Sequence, residues 1–399
     1  MKYFFVLGSN PALSIAEINA TIGLKEAELV APDFLIINSD TEINPASLVT
    51  RLGGVIKIGV IKKELLIAVK QPELVLQVCQ IAQIKQALTP VGKFNFGFSD
   101  YGSYQFNKQD LGIKLKNYFK TKNISSRFVI SREKNLSSVI VEQNKLLKRG
   151  IEIVLGRNEK NIFLGETMAV QPFKDLSRRD YGRPARDDRS GMLPPKLAQA
   201  MINLAQIRDA NDLVLDPFCG SGTILSEAIL LGFKNIFGLD ILISAIENTK
   251  KNISWTKELY QITDVKMKFL VKSVVDLNKF IKNSSAVAIV TEPYLGPQRG
   301  RIEFTEVIAE LEKLYSQALE QFVQVLRPGG RLVMVWPTFY GDRPINPKIH
   351  SSLQKVEILP DIFLNNVELR RFLNVRGNIV YGRSGQKVFR EIIVLKKAL

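Results

Sequence analysis

The sequence is poor in the side chains on which most metal sites and proton relays depend. Its 399 residues include one histidine, His350, and two cysteines, Cys79 and Cys219. A single histidine excludes most zinc sites and histidine-based catalysis, and two cysteines do not make a disulfide framework. We therefore expect a reduced, intracellular protein that works without a metal ion.

Long apolar runs are also missing. No stretch approaches the roughly 20 residues that a membrane-spanning helix needs, and the apolar run in MKYFFVLGSN is too short for a secretory signal. These features predict a cytoplasmic protein with no membrane partner.

Acidic residues are few relative to basic ones: 39 Asp and Glu against 55 Lys and Arg, a formal net charge of +16. Such an excess attracts polyanions, among which phosphate backbones are the most common in a cell. Residues 101–150 alone carry 11 basic and 3 acidic side chains. This pattern favours a nucleic-acid partner, with a solvated helix face as the alternative.

The chain is long enough for two or three domains, and 46% of its residues are hydrophobic. Residues 1–168 mix strand-like and helix-like segments, with SRFVIS, SSVIVEQ and IEIVLGR all predicted as strands. Residues 171–195 are rich in Arg, Asp, Pro and Gly and resemble a connector. From residue 194, strands and helices alternate, which predicts a parallel sheet with helices on both faces and a closing antiparallel hairpin.

The segment DPFCGSGT, residues 216–223, follows a predicted buried strand and precedes a helix. Its glycines allow close approach of a ligand to the backbone, and a helix start offers unpaired N–H groups. It lacks the Lys of a P-loop, and Leu225 stands where a dinucleotide fingerprint has its third glycine. The alternative is a glycine turn that only packs a helix on a strand.

Two carboxylates suggest the ligand of this loop. Asp216 ends the first strand and suits an ammonium group, whereas Asp240 ends the next strand 18 residues after Gly222. This offset is close to the roughly 20 residues at which an acid meets ribose hydroxyls. A ligand with both groups is S-adenosylmethionine.

The segment TEPYLGP, residues 291–297, ends the fourth predicted strand of this sheet. Ligands bind where the strand order of such a sheet reverses. If strand four lies beside strand one, Glu292 and the glycine loop face one crevice. The alternative is a buried strand that simply ends at Pro293.

Together with the segment RRDYGRPARDDRSGMLPPKLAQAMINLA, these two motifs resemble the THUMP-domain tRNA guanine-10 N2-methyltransferase family. The resemblance covers nearly the whole chain. It implies an α/β multidomain protein with a Rossmann-like, seven-stranded methyltransferase sheet and α+β N-terminal domains. The implied parts are a ferredoxin-like domain (1–60), a THUMP RNA-binding domain (61–168), a linker (169–192) and the S-adenosylmethionine-dependent methyltransferase domain (193–399).

The resemblance also implies roles for particular residues. Glu292, Pro293 and Tyr294 take the catalytic positions, although Glu292 replaces the usual Asp or Asn and Tyr294 the usual second proline. Leu295 fills the usual aromatic position, so that stacking on the base would fall to Tyr294. Asp276 is expected to face the adenine, with a helix cap as the alternative. The implied cofactor-binding residues are Asp216, Pro217, Phe218, Cys219, Gly220, Gly222, Thr223, Asp240, Ile241 and Asp276.

Basic residues in two segments are predicted to bind RNA phosphates. For the three arginines the alternative is a salt-bridged linker, because Asp180, Asp187 and Asp188 lie in the same stretch. The predicted RNA-binding residues are Lys114, Lys116, Lys120, Lys122, Arg179, Arg183 and Arg186.

The first hypothesis is therefore methylation of the exocyclic N2 amine of a guanosine in tRNA, at position 10, with S-adenosylmethionine as methyl donor. A guanine methyltransferase of rRNA or an adenine methyltransferase of DNA would use the same pocket, and the absence of a helix-turn-helix signal disfavours DNA. An idle methyltransferase fold that only binds tRNA is the third hypothesis. The need for a small activator subunit stays open.

Overall fold

The computed structural model describes residues 1–89, 92–102, 106–186, 192–297, 303–339, 343–383 and 385–399. The chain forms two compact units. The first contains residues 1–11 and 24–173, and the second contains residues 12–23 and 174–399. Most of helix α1 (Pro11–Ile22) therefore belongs to the second unit.

The first unit is built on one mixed sheet. Its strands are β1 (Lys2–Leu7), β2 (Glu26–Ala31), β3 (Phe34–Asn38), β4 (Val55–Leu66), β5 (Phe94–Tyr101), β6 (Ser126–Val129), β7 (Gly150–Arg157) and β8 (Asn161–Val170). Their order is β2-β3-β1-β4-β8-β7-β5-β6. All neighbours are antiparallel except β5, which runs parallel to β6 and β7. Residue 60, where the sequence predicts a domain boundary, lies inside β4, which pairs with β1 on one side and β8 on the other.

The helices of this unit cover an apolar core. They are α2 (Pro45–Arg51), α3 (Gln71–Ala87), α4 (Lys108–Thr121) and α5 (Ser138–Gln143). Phe96, Leu115, Phe119 and Ile153 are among the fully buried side chains that α3 and α4 pack against the sheet.

Helix α5 corrects the predicted strand SSVIVEQ. The hydroxyl of Ser137 caps the helix by accepting a hydrogen bond from the Ile140 N–H at 3.3 Å. Val141 is fully buried in a small cluster with Leu136 and Leu146. The cap and this burial outweigh the weak preference of β-branched residues for strands.

A fully buried ion pair crosses the middle of the first sheet. Lys57 Nζ lies 2.5 Å from Glu152 Oε1, and the two side chains are 1% and 0% exposed. Ser99 and Thr167 each donate a hydroxyl hydrogen bond to Glu152 at 2.6 Å, and Lys57 also donates to the Leu136 carbonyl. Four neighbouring strands thus share one satisfied polar network, in which each buried charge has its partners.

The second unit contains the α/β sheet that the sequence predicts. Its strands are β9 (Leu213–Asp216), β10 (Asn235–Asp240), β11 (Lys266–Val271), β12 (Ala286–Thr291), β13 (Leu326–Phe339), β14 (Arg343–Pro344), β15 (Leu353–Lys355), β16 (Val380–Tyr381) and β17 (Val388–Lys397). The main path is β11-β10-β9-β12-β13-β17-β15, while β14 pairs with β13 and β16 with β17. Strands β9 to β13 are parallel, and β17 runs antiparallel to β13 and β16. The predicted α/β class and the closing C-terminal hairpin are confirmed.

Helices flank this sheet. They are α6 (Phe173–Tyr181), α7 (Pro195–Leu204), α8 (Thr223–Leu230), α9 (Ile243–Tyr260), α10 (Phe304–Val325) and α11 (Val367–Arg370), with 3-10 turns at Val274–Lys279 and Asp361–Phe363. Helix α6 lies within residues 169–192, so this predicted linker is partly helical. In the part of the chain that the structure describes, no helix is both long and apolar enough to cross a membrane.

The strand order reverses between β9 and β12. From β9 the chain adds β10 and then β11 on one side, and it returns to pair β12 with β9 on the other. The carboxyl ends of β9 and β12 therefore border one crevice.

The buried ion pair generates a stability prediction. Lys57→Met should lower the free energy of unfolding by about 3–5 kcal/mol, because it leaves the Glu152 carboxylate buried without its cation. Urea denaturation followed by circular dichroism measures this. Lys25→Met is the matched control, since Lys25 pairs with Asp40 while 87% exposed and its loss should change little. Equal stability of the two variants would contradict the prediction.

Candidate active site

The glycine loop connects the end of β9 to the start of α8. Gly220 and Gly222 adopt φ angles of +51° and +80°, in the left-handed region that favours glycine. A Cβ on Gly222 would lie 3.0 Å from the γ-methyl group of Thr249. Because Gly222 is the N-cap of α8, the loop directs the helix's first N–H groups toward the crevice.

Asp216, the last residue of β9, is buried at the floor of this crevice and is 2% exposed. It accepts a hydrogen bond from the Thr291 hydroxyl at 2.7 Å and one from the Phe218 N–H at 3.3 Å. The pKa of Asp216 is raised to about 7, mainly by burial; the charges of Asp240 and Glu292 contribute to the rise, and the two hydrogen bonds counteract it. Asp216 is therefore a carboxyl group that a bound cation would ionise.

Asp240, the last residue of β10, joins the glycine loop to the start of α9. Its carboxylate accepts hydrogen bonds from the Gly220 N–H at 2.9 Å and the Leu242 N–H at 3.0 Å. The next residue, Ile241, is 69% exposed. An acid and an exposed apolar side chain thus lie together at the edge of the crevice.

The segment after β12 forms the opposite wall. Tyr294 is 61% exposed, whereas Leu295 is 7% exposed and belongs to the core. The Tyr315 hydroxyl of α10 donates to the Tyr294 carbonyl at 3.0 Å and fixes this segment. The aromatic ring at the rim is therefore that of Tyr294, and Leu295 anchors the segment from below.

Glu292 is held by a residue that the sequence analysis missed, Arg390 of β17. The Arg390 Nε donates to Glu292 Oε1 at 2.5 Å, and Nη2 lies 3.5 Å from Oε2. The side chains of Arg390 and Glu292 are only 10% and 13% exposed. Burial raises the pKa of Glu292 above its ordinary value, and the Arg390 cation counteracts this. Two adjacent charges, Arg390 and Glu391, inside the apolar run VFREIIVL were the available signal, because buried charges require partners.

One cavity of about 540 Å³ joins the two motifs. This volume is typical of a small-molecule site. Residues that the sequence did not single out also line it, among them Met192, Asn248, Lys272 and Ser273. The predicted site residues on its walls are Asp216, Pro217, Phe218, Cys219, Gly220, Thr223, Asp240, Ile241, Glu292, Pro293 and Tyr294.

Asp276 is not among the residues that line this cavity. Its carboxylate pairs with Lys279 at 2.7 Å on the 3-10 turn. The N-cap of that turn is Ser273, so the alternative role of Asp276 as a cap is also taken by another residue. Ser273 and Val274 form the cavity wall at this place.

Two of the predicted RNA-binding arginines are buried inside the second unit. Arg179 and Arg183 are each 7% exposed. Arg179 Nη1 lies 2.6 Å from Glu227 Oε2, and Arg183 Nη1 donates to the Thr223 hydroxyl at 2.5 Å. Burial raises the pKa of Glu227 to about 7 even with Arg179 beside it. Arg179 is therefore salt-bridged, as the alternative reading predicts, and Arg183 is buried in a hydrogen bond to the start of α8.

The same connector is attached to the glycine loop. The Asn252 side chain exchanges hydrogen bonds with the N–H and the carbonyl of Ala185, both at 2.9 Å, and donates to the Ser221 carbonyl at 2.8 Å. Arg186, one residue further on, is exposed, with its guanidinium 5.4 Å from the centroid of the Tyr181 ring. The connector therefore supports the loop that borders the cavity.

The predicted basic residues of the first unit lie on and just after α4. Lys116, Lys120 and Lys122 are exposed. Lys114 is partly buried and pairs with Asp110 at 2.6 Å. The helix therefore presents a basic surface to solvent.

A parallel sheet with a glycine loop after its first strand, an acid after its second and an acid-Pro-Tyr edge after its fourth defines a Rossmann-like methyltransferase. Residues 183–339 match the family model described as RMKL-like, methyltransferase domain, and residues 79–251 match one described as DNA methylase. The crystal structure of TrmN from Thermus thermophilus shares the fold, with 18% identity, a TM-score of 0.51 and coverage of 100% of both chains.

Sequence relatives indicate to which family of methyltransferases the chain belongs. The chain is 32% identical to the tRNA (guanine(10)-N2)-dimethyltransferase of Pyrococcus abyssi over 165 residues, which cover 41% of this chain and 43% of that protein. It is 31% identical over 114 residues to a probable tRNA (guanine(10)-N2)-dimethyltransferase from Methanothermococcus thermolithotrophicus, covering 27% of this chain and 67% of that one. The chain belongs to the tRNA guanine-N2 methyltransferase family. The match spans less than half the length of the Pyrococcus relative.

The buried carboxyl group of Asp216 generates a pH prediction. Because folding raises its pKa from 3.8 to about 7, Asp216 stabilises the protein below pH 4, and this contribution is lost as the pH rises through 7. Asp216→Asn should therefore remove about 2–3 kcal/mol of the stability difference between pH 5 and pH 8. Urea denaturation at the two pH values measures this.

Asp361→Asn is the control for this experiment, because Asp361 is exposed and its replacement should preserve the wild-type pH dependence. If Asp216→Asn showed the same pH dependence as the wild type, the assignment of a raised pKa to Asp216 would be wrong.

Proposed function

We propose that the chain transfers a methyl group from S-adenosylmethionine to the exocyclic N2 amine of a guanosine in tRNA, at position 10. One observation carries the proposal: a single cavity is lined both by the glycine loop after β9 and by the Glu292-Pro293-Tyr294 edge after β12. The names of the two relatives support guanine N2 as the target and position 10 as its place.

The cavity fits S-adenosylmethionine by its donor set. Asp216 is a buried carboxyl group beside the loop, suited to the ammonium of the methionine part. Asp240 lies at the end of the next strand, where an acid can accept from ribose hydroxyls. When bound, the cofactor would supply an electrophilic methyl group on its sulfonium.

The segment after β12 offers the hydrogen-bond acceptors that the target amine needs. The guanine N2 lone pair is delocalised into the ring, which makes it a poor nucleophile. Glu292 and the backbone carbonyl of Pro293 can each accept a hydrogen bond from one N–H of the amine. These two hydrogen bonds would orient the nitrogen lone pair toward the cofactor and stabilise the positive charge that grows on nitrogen. Most of the rate acceleration then comes from positioning.

Tyr294 supplies the platform for the base. Its ring is exposed at the rim of the cavity, next to Glu292. A base flipped out of a stem requires such an apolar surface, because it has lost its stacking neighbours.

We also propose that the first unit binds tRNA, chiefly through Lys116, Lys120 and Lys122 near α4, with Arg186 as a further contact in the second unit. The exposure of these side chains supports this. The division into a ferredoxin-like part, residues 1–60, and a THUMP part, residues 61–168, belongs to the same proposal. Because tRNA is the substrate, the enzyme would work in the cytoplasm. An activator subunit is an additional hypothesis.

The central test is methyl transfer by the full-length protein. With labelled S-adenosylmethionine and bulk tRNA, we expect label in N2-methylguanosine at position 10. Glu292→Ala should lower kcat by about 10²-fold or more, because the amine loses an acceptor that acts in the transition state. Nucleoside analysis of digested tRNA measures the product.

Glu310→Ala is the matched control, since Glu310 is an exposed acid on α10 and its loss should leave kcat unchanged. Label only in rRNA or in DNA adenine would contradict the assignment of the substrate. Tight tRNA binding by the wild type without transfer would identify an idle fold.

Tyr294 generates a second kinetic prediction. Tyr294→Ala should lower kcat/KM about 10- to 100-fold, since the stacking of one base on an aromatic ring contributes ~1–3 kcal/mol. Tyr294→Phe keeps the ring and should stay close to the wild type. Steady-state kinetics with tRNA distinguish the two, and an equal loss in both variants would refute the stacking role.

A further inference from the structure

We propose that Arg390 is a positioning residue for this reaction, which orients the Glu292 carboxylate toward the target amine and keeps it in the form that accepts hydrogen bonds. The inference rests on the proposed function. It explains how a glutamate works at a position where the family resemblance leads one to expect a shorter acid.

Glu292 is one C–C bond longer than Asp, roughly 1.5 Å, and an error of ~1 Å in placing a reactive group can cost ~10²-fold in rate. A longer side chain also has one more rotatable bond. A partner that fixes the carboxylate is therefore necessary, and Arg390 provides it with a 2.5 Å contact to Oε1.

The backbone of Arg390 is held on both sides by neighbouring strands. Arg390 lies inside β17, paired with Pro337 of β13 on one side and with Tyr381 of β16 on the other. Its side chain is 10% exposed. The cation is thus presented from a strand that is paired on both edges, and not from a loop.

The two carboxylate oxygens of Glu292 differ in their contacts with Arg390. Oε1 of Glu292 takes the short contact, whereas Oε2 lies 3.5 Å from Nη2. An ionised carboxylate offers about four lone-pair positions, so Oε2 retains the capacity to accept the N–H of an amine. Glu292 also lines the cavity, which makes this acceptor available to a bound base.

The ionisation of Glu292 depends on its neighbours. Among the residues that the structure describes, the groups that interact with Glu292 from the packed elements are Arg390 of β17, Asp216 of β9 and Tyr315 of α10. Burial disfavours the negative charge of Glu292 and raises its pKa, and the Arg390 cation favours that charge. A protonated Glu292 keeps one carbonyl acceptor but carries no negative charge, so loss of the cation weakens the stabilisation of the charge that grows on the amine nitrogen.

The experiment uses Arg390→Gln and Arg390→Lys in the full-length protein, with tRNA and S-adenosylmethionine. For Arg390→Gln we expect kcat at pH 7 to fall at least 10-fold, partial recovery at higher pH, and an acidic limb of the rate profile moved upward, because Glu292 loses the cation that favours its charge. Arg390→Lys should have a lower kcat than the wild type, but the acidic limb of its pH–rate profile should stay near the wild-type position. Binding of S-adenosylmethionine, measured by calorimetry, should be unchanged in both variants.

Arg383→Gln is the matched control, because Arg383 is an exposed arginine in the turn of the same hairpin. It loses the same charge and should keep the wild-type pH profile. A uniform loss of rate at all pH values in Arg390→Gln would show a merely structural role and would overturn the proposal.

A second measurement separates this inference from the proposed function. In protein labelled with ¹³C at the glutamate carboxyl groups, the resonance that Glu292→Gln removes reports the titration of Glu292. Its midpoint should rise in Arg390→Gln. If the wild type methylated no nucleic acid, the proposed function and the catalytic part of this inference would both fail. If the wild type were active but the Glu292 midpoint did not move in Arg390→Gln, the role of Arg390 alone would be overturned.

Discussion

The pairing of two parallel strands, β9 and β12, is the constraint on which the site depends. Ala288 and Ile289 lie opposite Val214 and Leu215, so that the two strands end at the same level of the sheet. There the buried Thr291 hydroxyl donates to Asp216 across 75 positions of sequence, at 2.7 Å. Because both strands are buried and rigid, the glycine loop that follows one and the acidic edge that follows the other cannot open to different surfaces. The crevice, its cavity and the direction of Glu292 all follow from this pairing.

Strand β17 contributes a further residue next to the crevice that β9 and β12 form. Side chains alternate between the faces of a strand, so that the adjacent charges Arg390 and Glu391 point in opposite directions. Arg390 meets Glu292, while the fully buried Glu391 accepts from Asn374 and Asn378 at 2.6 Å each. A hairpin that closes the sheet therefore also places a cation against Glu292, a residue that lines the cavity. A buried carboxylate without such a partner would be protonated or displaced, which explains why a glutamate can be buried at the end of β12.

The parts of the site that sequence predicts are those that depend on local chemistry. DPFCGSGT needs its glycines because the backbone has positive φ at Gly220 and Gly222, and strand ends are recognisable from the apolar runs before them. The parts that it misses depend on distant partners. Arg390 lies 98 positions from Glu292, and nothing near either residue indicates that strand order brings them together. The strand predicted over SSVIVEQ fails for a related reason, since the Ser137 cap and tertiary burial decide between helix and strand there. The division of residues 1–168 into two domains stays a prediction.

The positive charge of the chain illustrates the same limit. The net charge of the sequence includes Arg179, Arg390 and Lys57 as well as the surface lysines of α4. These three cations, however, are buried, and they pair with Glu227, Glu292 and Glu152, respectively. A surface cation attracts phosphates over roughly 8–10 Å at ordinary ionic strength, whereas a buried one acts at contact and sets the direction and ionisation of a single carboxylate. The excess of charge that suggested a nucleic-acid partner therefore divides into two roles. One set of cations is exposed to solvent, and the other holds in place the acids of the folded interior, among them Glu292 at the cavity.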